Sequence, residues 1–294
     1  DCPPHSIGGH PPASCGGWDF QVVKTGDKLK LGNRALGFLE AAMIHWPDSM
    51  FTYCAEEKLL LSNDAFGQHL ASSKLFDDEI DECVLMDEAE KYYANILWPF
   101  STIILRKIEE VQKMNIAIDM IAPSHGIIWR KDPAKIINAY LNWAKNETKP
   151  KVVIAYETMW QSTAKMAYEI AAGLISSGVE TVVFDIALSD RTEVIKQMFN
   201  AKGFIFGSST HDNDMLPVMA GFLKFLKGLK PKNRRAAVFG SYGWAGGAVK
   251  NIEELLKESG IEVSVPSISV KYRPDKNELT RCFDFGKEFA KKIL

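Results

Sequence analysis

Between Lys151 and Val270 the chain carries five short apolar runs, KVVIAYE, ETVVFDI, GFIFGSS, RRAAVFGS and EVSVPSISV. Each is followed by an amphipathic segment of roughly 10 to 18 residues, the length of a helix. Parallel strands cannot be joined by a tight turn and need such a crossover, so this alternation predicts βαβ units and an α/β, doubly wound parallel sheet. In a sheet of this kind the ligand crevice lies beyond the carboxyl ends of the strands flanking the switch in strand order, here the first and the third.

The loops at those ends are rich in small polar residues and rings. After the first run comes ETMWQSTAKM, where Thr158, Met159, Trp160 and Gln161 lead to Ser162 and Thr163 at the place of a helix N-cap. Hydroxyls there either cap free N–H groups or mark a helix start that holds a phosphate, and the loop alone does not choose. The third run ends in GSSTHDNDMLP, with Ser209, Thr210, His211 and Asn213. The fourth ends in GSYGWAGGA, with Ser241, Tyr242, Gly243, Trp244, Gly246 and Gly247. Small residues let backbone approach a ligand closely, and Trp160, His211, Tyr242 and Trp244 can meet a flat heterocycle. No G-x-G-x-x-G follows the first run, which argues against a dinucleotide. A flavin mononucleotide (FMN) in a flavodoxin-like sheet suits the set, its phosphate in the first loop and its ring against the other two.

The first half reads differently. Residues 1–17, DCPPHSIGGHPPASCGG, hold four Pro and four Gly without periodicity and are expected to be irregular. His5, His10, Cys2 and Cys15 lie there in no strong zinc spacing. From Trp18 the pattern turns strand-like: DFQVVKTGD, then LKLGNRALGFLEAA, then MFTYCAEEKLLLSND with Glu56, Glu57 and Lys58 as a polar hairpin tip. A helical stretch is expected from about Asp87 to Met114, a strand at IAIDMIA and a helix over 133–145. The polar stretch KNETKP then puts a domain boundary near Lys149, giving segments 1–17, 18–149 and 150–294.

Within 18–149, His45 follows an apolar run in MIHWPDSM, Asp64 ends LLLSND, and His125 follows IAIDMIA. Two imidazoles and a carboxylate at converging strand ends are donors that iron or zinc accepts; each taken singly is more often a residue satisfied in its own loop, and the repeated position is what points to metal. His69, five residues after Asp64, stands either behind a ligand or on the surface.

Several classes are set aside. A net charge of -2 offers no basic excess for nucleic acid or an acidic membrane surface. The longest apolar stretch, YYANILWPFSTIIL, is broken by Asn95 and Pro99 and is too short to span a bilayer. Five scattered cysteines (Cys2, Cys15, Cys54, Cys83, Cys282) form no C-x-x-C pair, which with the absence of a leader pattern predicts a cytoplasmic protein.

Taken in order, HWPDSM, SNDAFGQH, PSHG, TMWQST, GSSTHDND and GSYGWAGG resemble the flavodiiron proteins, from about Trp18 to the C-terminus. The resemblance implies a metallo-β-lactamase-like αββα domain with a di-iron site, followed by an FMN domain. It further implies reduction of dioxygen to water or of nitric oxide to nitrous oxide, with electrons passing from rubredoxin or another small redox donor through FMN to the irons. His45 would ligate one iron, Asp64 would bridge the two and His125 would ligate the other, with Asp48 orienting a ligand from behind. A head-to-tail homodimer is expected, the flavin of one subunit facing the irons of the other. The family's upstream H-x-E-x-D-H motif has no match in residues 1–42, so the expectation is a partial lactamase-like domain lacking about half of the iron ligands. Two further readings remain open: an FMN-binding electron carrier with an inactive metal domain, and a zinc hydrolase.

Overall fold

A computed structural model describes residues 21–294. The chain forms two compact units, Asp1–Lys145 and Asn146–Leu294.

In the first unit, β1 (Lys28–Leu31) and β2 (Arg34–Glu40) form a hairpin, with Gly32 in the left-handed region at the turn. β3 (Met50–Cys54) runs antiparallel to β2, and β4 (Leu59–Leu61) returns antiparallel to β3 around the polar tip that the sequence marks. β5 (Met120–Ala122) closes the sheet parallel to β4, in the order β1-β2-β3-β4-β5. The expected strand at IAIDMIA shrinks to three residues because β4 offers only three partners. The DFQVV run forms no strand over 21–23, where Val22 is exposed and has no face to bury; its earlier residues lie outside the described ones, as do His5, His10, Cys2 and Cys15.

The long helix expected after Asp87 begins earlier and is interrupted. α1 (Glu82–Tyr92) starts at Asp81, whose carboxylate accepts from the N–H groups of Cys83 and Val84. A π-helical turn (Tyr93–Leu97) and a 3₁₀ turn (Trp98–Phe100) then precede α2 (Ser101–Lys113). Pro99 has no N–H to continue an α-helical ladder, so the register changes there. α3 (Pro133–Ala144) follows. Phe51 and Leu60 share a cavity with Ile108 of α2 and Ile137 of α3, so this sheet face is the helix-covered one. By strand alternation Leu36, Phe38, Leu59 and Leu61 point to the other face, and none of them is fully buried.

The second unit alternates as expected. Its elements are β6 (Lys149–Glu157), α4 (Ser162–Ser176), β7 (Glu180–Asp185), α5 (Arg191–Phe199), β8 (Ala201–His211) and β9 (Asp214–Met215). They continue with α6 (Pro217–Leu229), β10 (Arg235–Tyr242), α7 (Ala248–Glu258), β11 (Glu262–Val263), β12 (Ile268–Lys271) and α8 (Lys276–Ile293). The parallel order is β11-β10-β8-β6-β7, with β12 also on β10. The expected fifth strand is thus split around Pro266, which cannot donate to a ladder. β9 is an unforeseen antiparallel addition to the end of β8. Val152, Ile154, Ile205 and Phe239 of the sheet pack with Ile170 and Leu174 of α4 and with Phe285 and Phe289 of α8 in one buried cluster. The chain leaves β6 toward β7 on one side and reaches β8 on the other, so the crevice lies at the carboxyl ends of β6 and β8. Among the described residues no helix is long and apolar enough to cross a membrane.

Candidate functional site

A cavity of about 410 Å³ opens at that switch point, within the range of roughly 300–1,000 Å³ usual for cofactor sites. Its wall takes Met159, Trp160 and Ser162 from the first loop, Ser209, Thr210, His211 and Asn213 from the second, and Ser241, Tyr242, Gly243 and Trp244 from the third. Trp160 and Trp244 are 84% and 92% exposed. Two indoles left in water around one cavity are surfaces for a planar ring to cover.

The first loop departs from simple capping. Ser162 and Thr163 are the first two residues of α4 rather than its N-cap; that place belongs to Gln161, which is left-handed (φ 65) and makes no side-chain cap. The Thr163 hydroxyl lies instead 3.0 Å from Ser209 Oγ and 2.9 Å from Ser241 Oγ, tying the three loops together beneath the cavity. Met159 N–H donates to the same Ser209 hydroxyl at 3.3 Å. Helix N–H groups without a capping side chain, and a buried Thr158 Oγ1 without a hydrogen-bond partner, fit the phosphate of FMN.

Of the expected cavity residues, Thr158, Gln161, Thr163, Gly246 and Gly247 do not line it. Gln161 and Thr163 shape the loop from below, and a side chain on Gly247 would collide with the Asn213 carbonyl, so that glycine serves loop packing. Asp212, Ala245 and Tyr272 line it unforeseen. Tyr272 follows β12 and donates its N–H to the Tyr242 carbonyl at 2.7 Å; an aromatic at the end of the fifth strand was its only sequence signal.

In the first unit His45, Asp64 and His125 converge. His45 Nε2 lies 3.7 Å from Asp64 Oδ2, and His125 Nε2 lies 3.5 Å from Asp64 Oδ1. A carboxylate with one imidazole at each oxygen fits the bridging part of a two-metal site. Among the described residues no three His, Cys, Asp or Glu side chains surround a single point, so each metal would find here one imidazole and one carboxylate oxygen. The residues present therefore fit part of such a site.

Its surroundings are ordered. Phe66, two residues after Asp64, gives its N–H to the buried Tyr140 hydroxyl at 2.8 Å and accepts from Trp129 Nε1 at 2.8 Å. Ser124 N–H donates to the Asn63 carbonyl at 2.7 Å, joining the loops before His125 and Asp64. Tyr92, the last residue of α1 before the π-helical turn, sets its hydroxyl 3.4 Å from His125 Nε2. Burial, then the Asp64 charge, raises its ionisation well above the ordinary phenol, so it is a neutral donor there. His69 stands 4.9 Å edge-on from Tyr92 and 5.2 Å from the His125 ring. Partial burial, then His125, holds its ionisation below the usual imidazole range. No hydrogen bond or ion pair joins Asp48 to His45; the turn is closed by Ser49, whose hydroxyl accepts from Trp46 N–H at 3.2 Å.

The chain matches two family descriptions, "ODP family beta lactamase" over residues 19–126 and "Flavodoxin" over 154–286. It is 52% identical over 277 residues to a nitric oxide reductase of Moorella thermoacetica, covering 94% of this chain and 69% of that relative. It is 45% identical to an anaerobic nitric oxide reductase flavorubredoxin of Aeromonas hydrophila, spanning 94% of this chain and 56% of that protein. Among solved structures it superposes on rubredoxin oxygen:oxidoreductase from Desulfovibrio gigas with a TM-score of 0.90 and 35% identity, over 94% of this chain and 70% of that one. The flavodiiron protein of Giardia intestinalis superposes with a TM-score of 0.87 and 34% identity, over 93% and 68%.

Proposed function

The chain belongs to the flavodiiron proteins, and from that premise we propose that it serves the reduction of nitric oxide to nitrous oxide or of dioxygen to water, using FMN and a di-iron pair. The observation that carries the reading is the Asp64 carboxylate with an imidazole at each oxygen, in a chain that also holds the cavity between Trp160 and Trp244. When bound, FMN supplies electron transfer in single steps, and the iron pair supplies electrons and Lewis acidity to a diatomic substrate. The chain's own residues bind and orient. Asp64, His45 and His125 would hold the pair, each imidazole Nε2 lying beside one Asp64 oxygen, and the Tyr92 hydroxyl keeps its proton beside His125 Nε2. The start of α4 and the unpartnered Thr158 hydroxyl would hold the FMN phosphate, and Trp160, Tyr242 and Trp244 would face the ring.

The electron donor in this reading is a separate small redox protein of rubredoxin type, and the working unit a head-to-tail homodimer. Both follow from the family, one of whose members is named for rubredoxin. Cys54, Cys83 and Cys282 are free, which supports a reducing cytoplasm.

The test is anaerobic nitric oxide consumption and nitrous oxide formation by photoreduced, iron-reconstituted protein, with Asp64→Asn beside it. The expected outcome is loss of gas turnover in Asp64→Asn while flavin reduction is kept. Equal turnover in both would overturn the assignment. The two described donors per metal favour one competing reading, an FMN electron carrier with an inactive metal domain. Stoichiometric flavin with no iron uptake under reconstitution would select it.

A further inference from the structure

Beyond the Ser124–Asn63 contact, the two loops that carry Asp64 and His125 are joined by a buried amide. Gln68 is 1% exposed. Its Nε2 donates to the Ile127 carbonyl at 3.1 Å and its Oε1 accepts from the Ile127 N–H at 2.7 Å, so a side chain pairs with that peptide as a neighbouring strand would. The space for this is kept by glycine. At Gly126 (φ +85) a side chain would be strained and would collide with Gln68 Oε1. At Gly67 an added Cβ would stand 2.9 Å from His125 Cε1, so a side chain there would crowd the ring.

The same residue addresses the His125 ring directly. The Gln68 carbonyl oxygen lies 3.4 Å from His125 Nδ1. A carbonyl only accepts, so this contact calls for a proton on Nδ1, while Nε2 faces one donor, the Tyr92 hydroxyl at 3.4 Å, whose proton its lone pair can accept. Nε2 is the nitrogen that faces Asp64 Oδ1 at 3.5 Å.

We propose that Gln68 is a positioning residue for His125, whose amide clamps the Gly67–Ile127 crossing so that the Gln68 carbonyl fixes the ring's orientation and tautomer and presents Nε2 beside Asp64. The proposal rests on reading His125 as a metal ligand. Ligating imidazoles are commonly held this way, and loss of such a partner typically weakens metal binding about 10- to 100-fold.

The test uses the full chain with FMN bound. Before iron is added, ¹⁵N NMR of the imidazoles reads the tautomer; afterwards, anaerobic titration with Fe(II) reads affinity, with FMN content and melting temperature as controls. Wild type is expected to hold His125 with the proton on Nδ1. Gln68→Met, similar in size but without the amide, is expected to show mixed tautomers and Fe(II) binding roughly tenfold weaker or more, with FMN content unchanged. Gln68→Glu keeps the acceptor for Ile127 N–H and is expected to recover part of the loss. Gly126→Ala should reproduce the Gln68→Met tautomer mixture from the opposite side of the clamp. A Gln68→Met chain with an unaltered tautomer and unaltered Fe(II) affinity would overturn the proposal. A wild-type ring protonated on Nδ1 in a chain that takes up no Fe(II) would overturn the ligand reading and leave the positioning role standing, so the two failures are distinguishable.

Discussion

Two carboxylates at strand ends, Asp64 and Glu157, sit in opposite surroundings. Asp64 is partly open and flanked by imidazoles, whereas Glu157 is buried at the end of β6 and accepts the Met219 N–H at the start of α6 at 2.7 Å. Burial raises the Glu157 ionisation above its ordinary 4.5, against the lowering effect of the Met219 and Val218 N–H groups. A raised carboxylate binds its proton more tightly folded than unfolded, so its contribution is full below pH 4.5 and is lost as pH rises through the folded value. Melting curves of Glu157→Gln and wild type should therefore coincide near pH 4 and separate above about pH 4.5, the variant becoming the more stable. A variant less stable at neutral pH would show that the helix N–H groups outweigh burial. A second expectation concerns Thr158, whose buried hydroxyl has no partner. Thr158→Val should weaken FMN binding roughly 10- to 100-fold, the range for one hydrogen bond to a charged group, with the fold intact; flavin fluorescence on titrating the apoprotein measures it. His45, Asp64 and His125 were legible because each follows a strand end in its own segment. Gln68, Tyr92 and Tyr272 were not, since their contacts join segments distant along the chain, and no local pattern records which loop a glutamine amide will meet.

At the scale of elements, glycine sets how closely α4 and α8 approach. A side chain at Gly173 would run into the Phe283 carbonyl of α8, and one at Gly286 into the Ile170 carbonyl of α4, so each helix has removed a side chain opposite the other's backbone. Propensity alone would favour alanine at both places by roughly 1 kcal/mol, so the fold gives up helix propensity for contact. Gly286→Ala is accordingly expected to destabilise the second unit by about 1–3 kcal/mol, the usual range for overpacking, despite alanine's better propensity. Urea unfolding followed by flavin release checks the sign, and a stabilised variant would show that the helices can separate without loss. These elements were themselves readable from period and length, because strands of a parallel sheet are continuous apolar runs. Their interruptions followed tertiary partners: the fifth strand divides at Pro266, and the helix expected through Met114 changes register around Pro99, where the π-helical turn follows Tyr92.

For the whole molecule the two units differ in what they hold by themselves. The second brings three loops to one cavity, and the buried Thr163, Ser209 and Ser241 hydroxyls tie those loops together without any ligand. Such preorganisation lowers the ordering cost of binding. The first offers each metal two side-chain donors among the described residues, and none of Leu36, Phe38, Leu59 and Leu61 on one sheet face is fully buried. Four-coordinate metal sites in proteins usually draw at least three protein ligands, so two donors give a pair of metals little hold. The donors of the described residues alone therefore predict FMN near one per chain and iron well below two when the 294-residue chain is purified without added metal. Elemental analysis beside the visible spectrum measures both. Iron near two would show that further donors, from residues 1–20 or from another copy, complete the site, and gas turnover by this chain alone would follow. Iron near zero with full flavin would place the gas chemistry in assemblies that add donors, while electron acceptance at the flavin would persist in the second unit, whose cavity is built wholly from residues after Asn146.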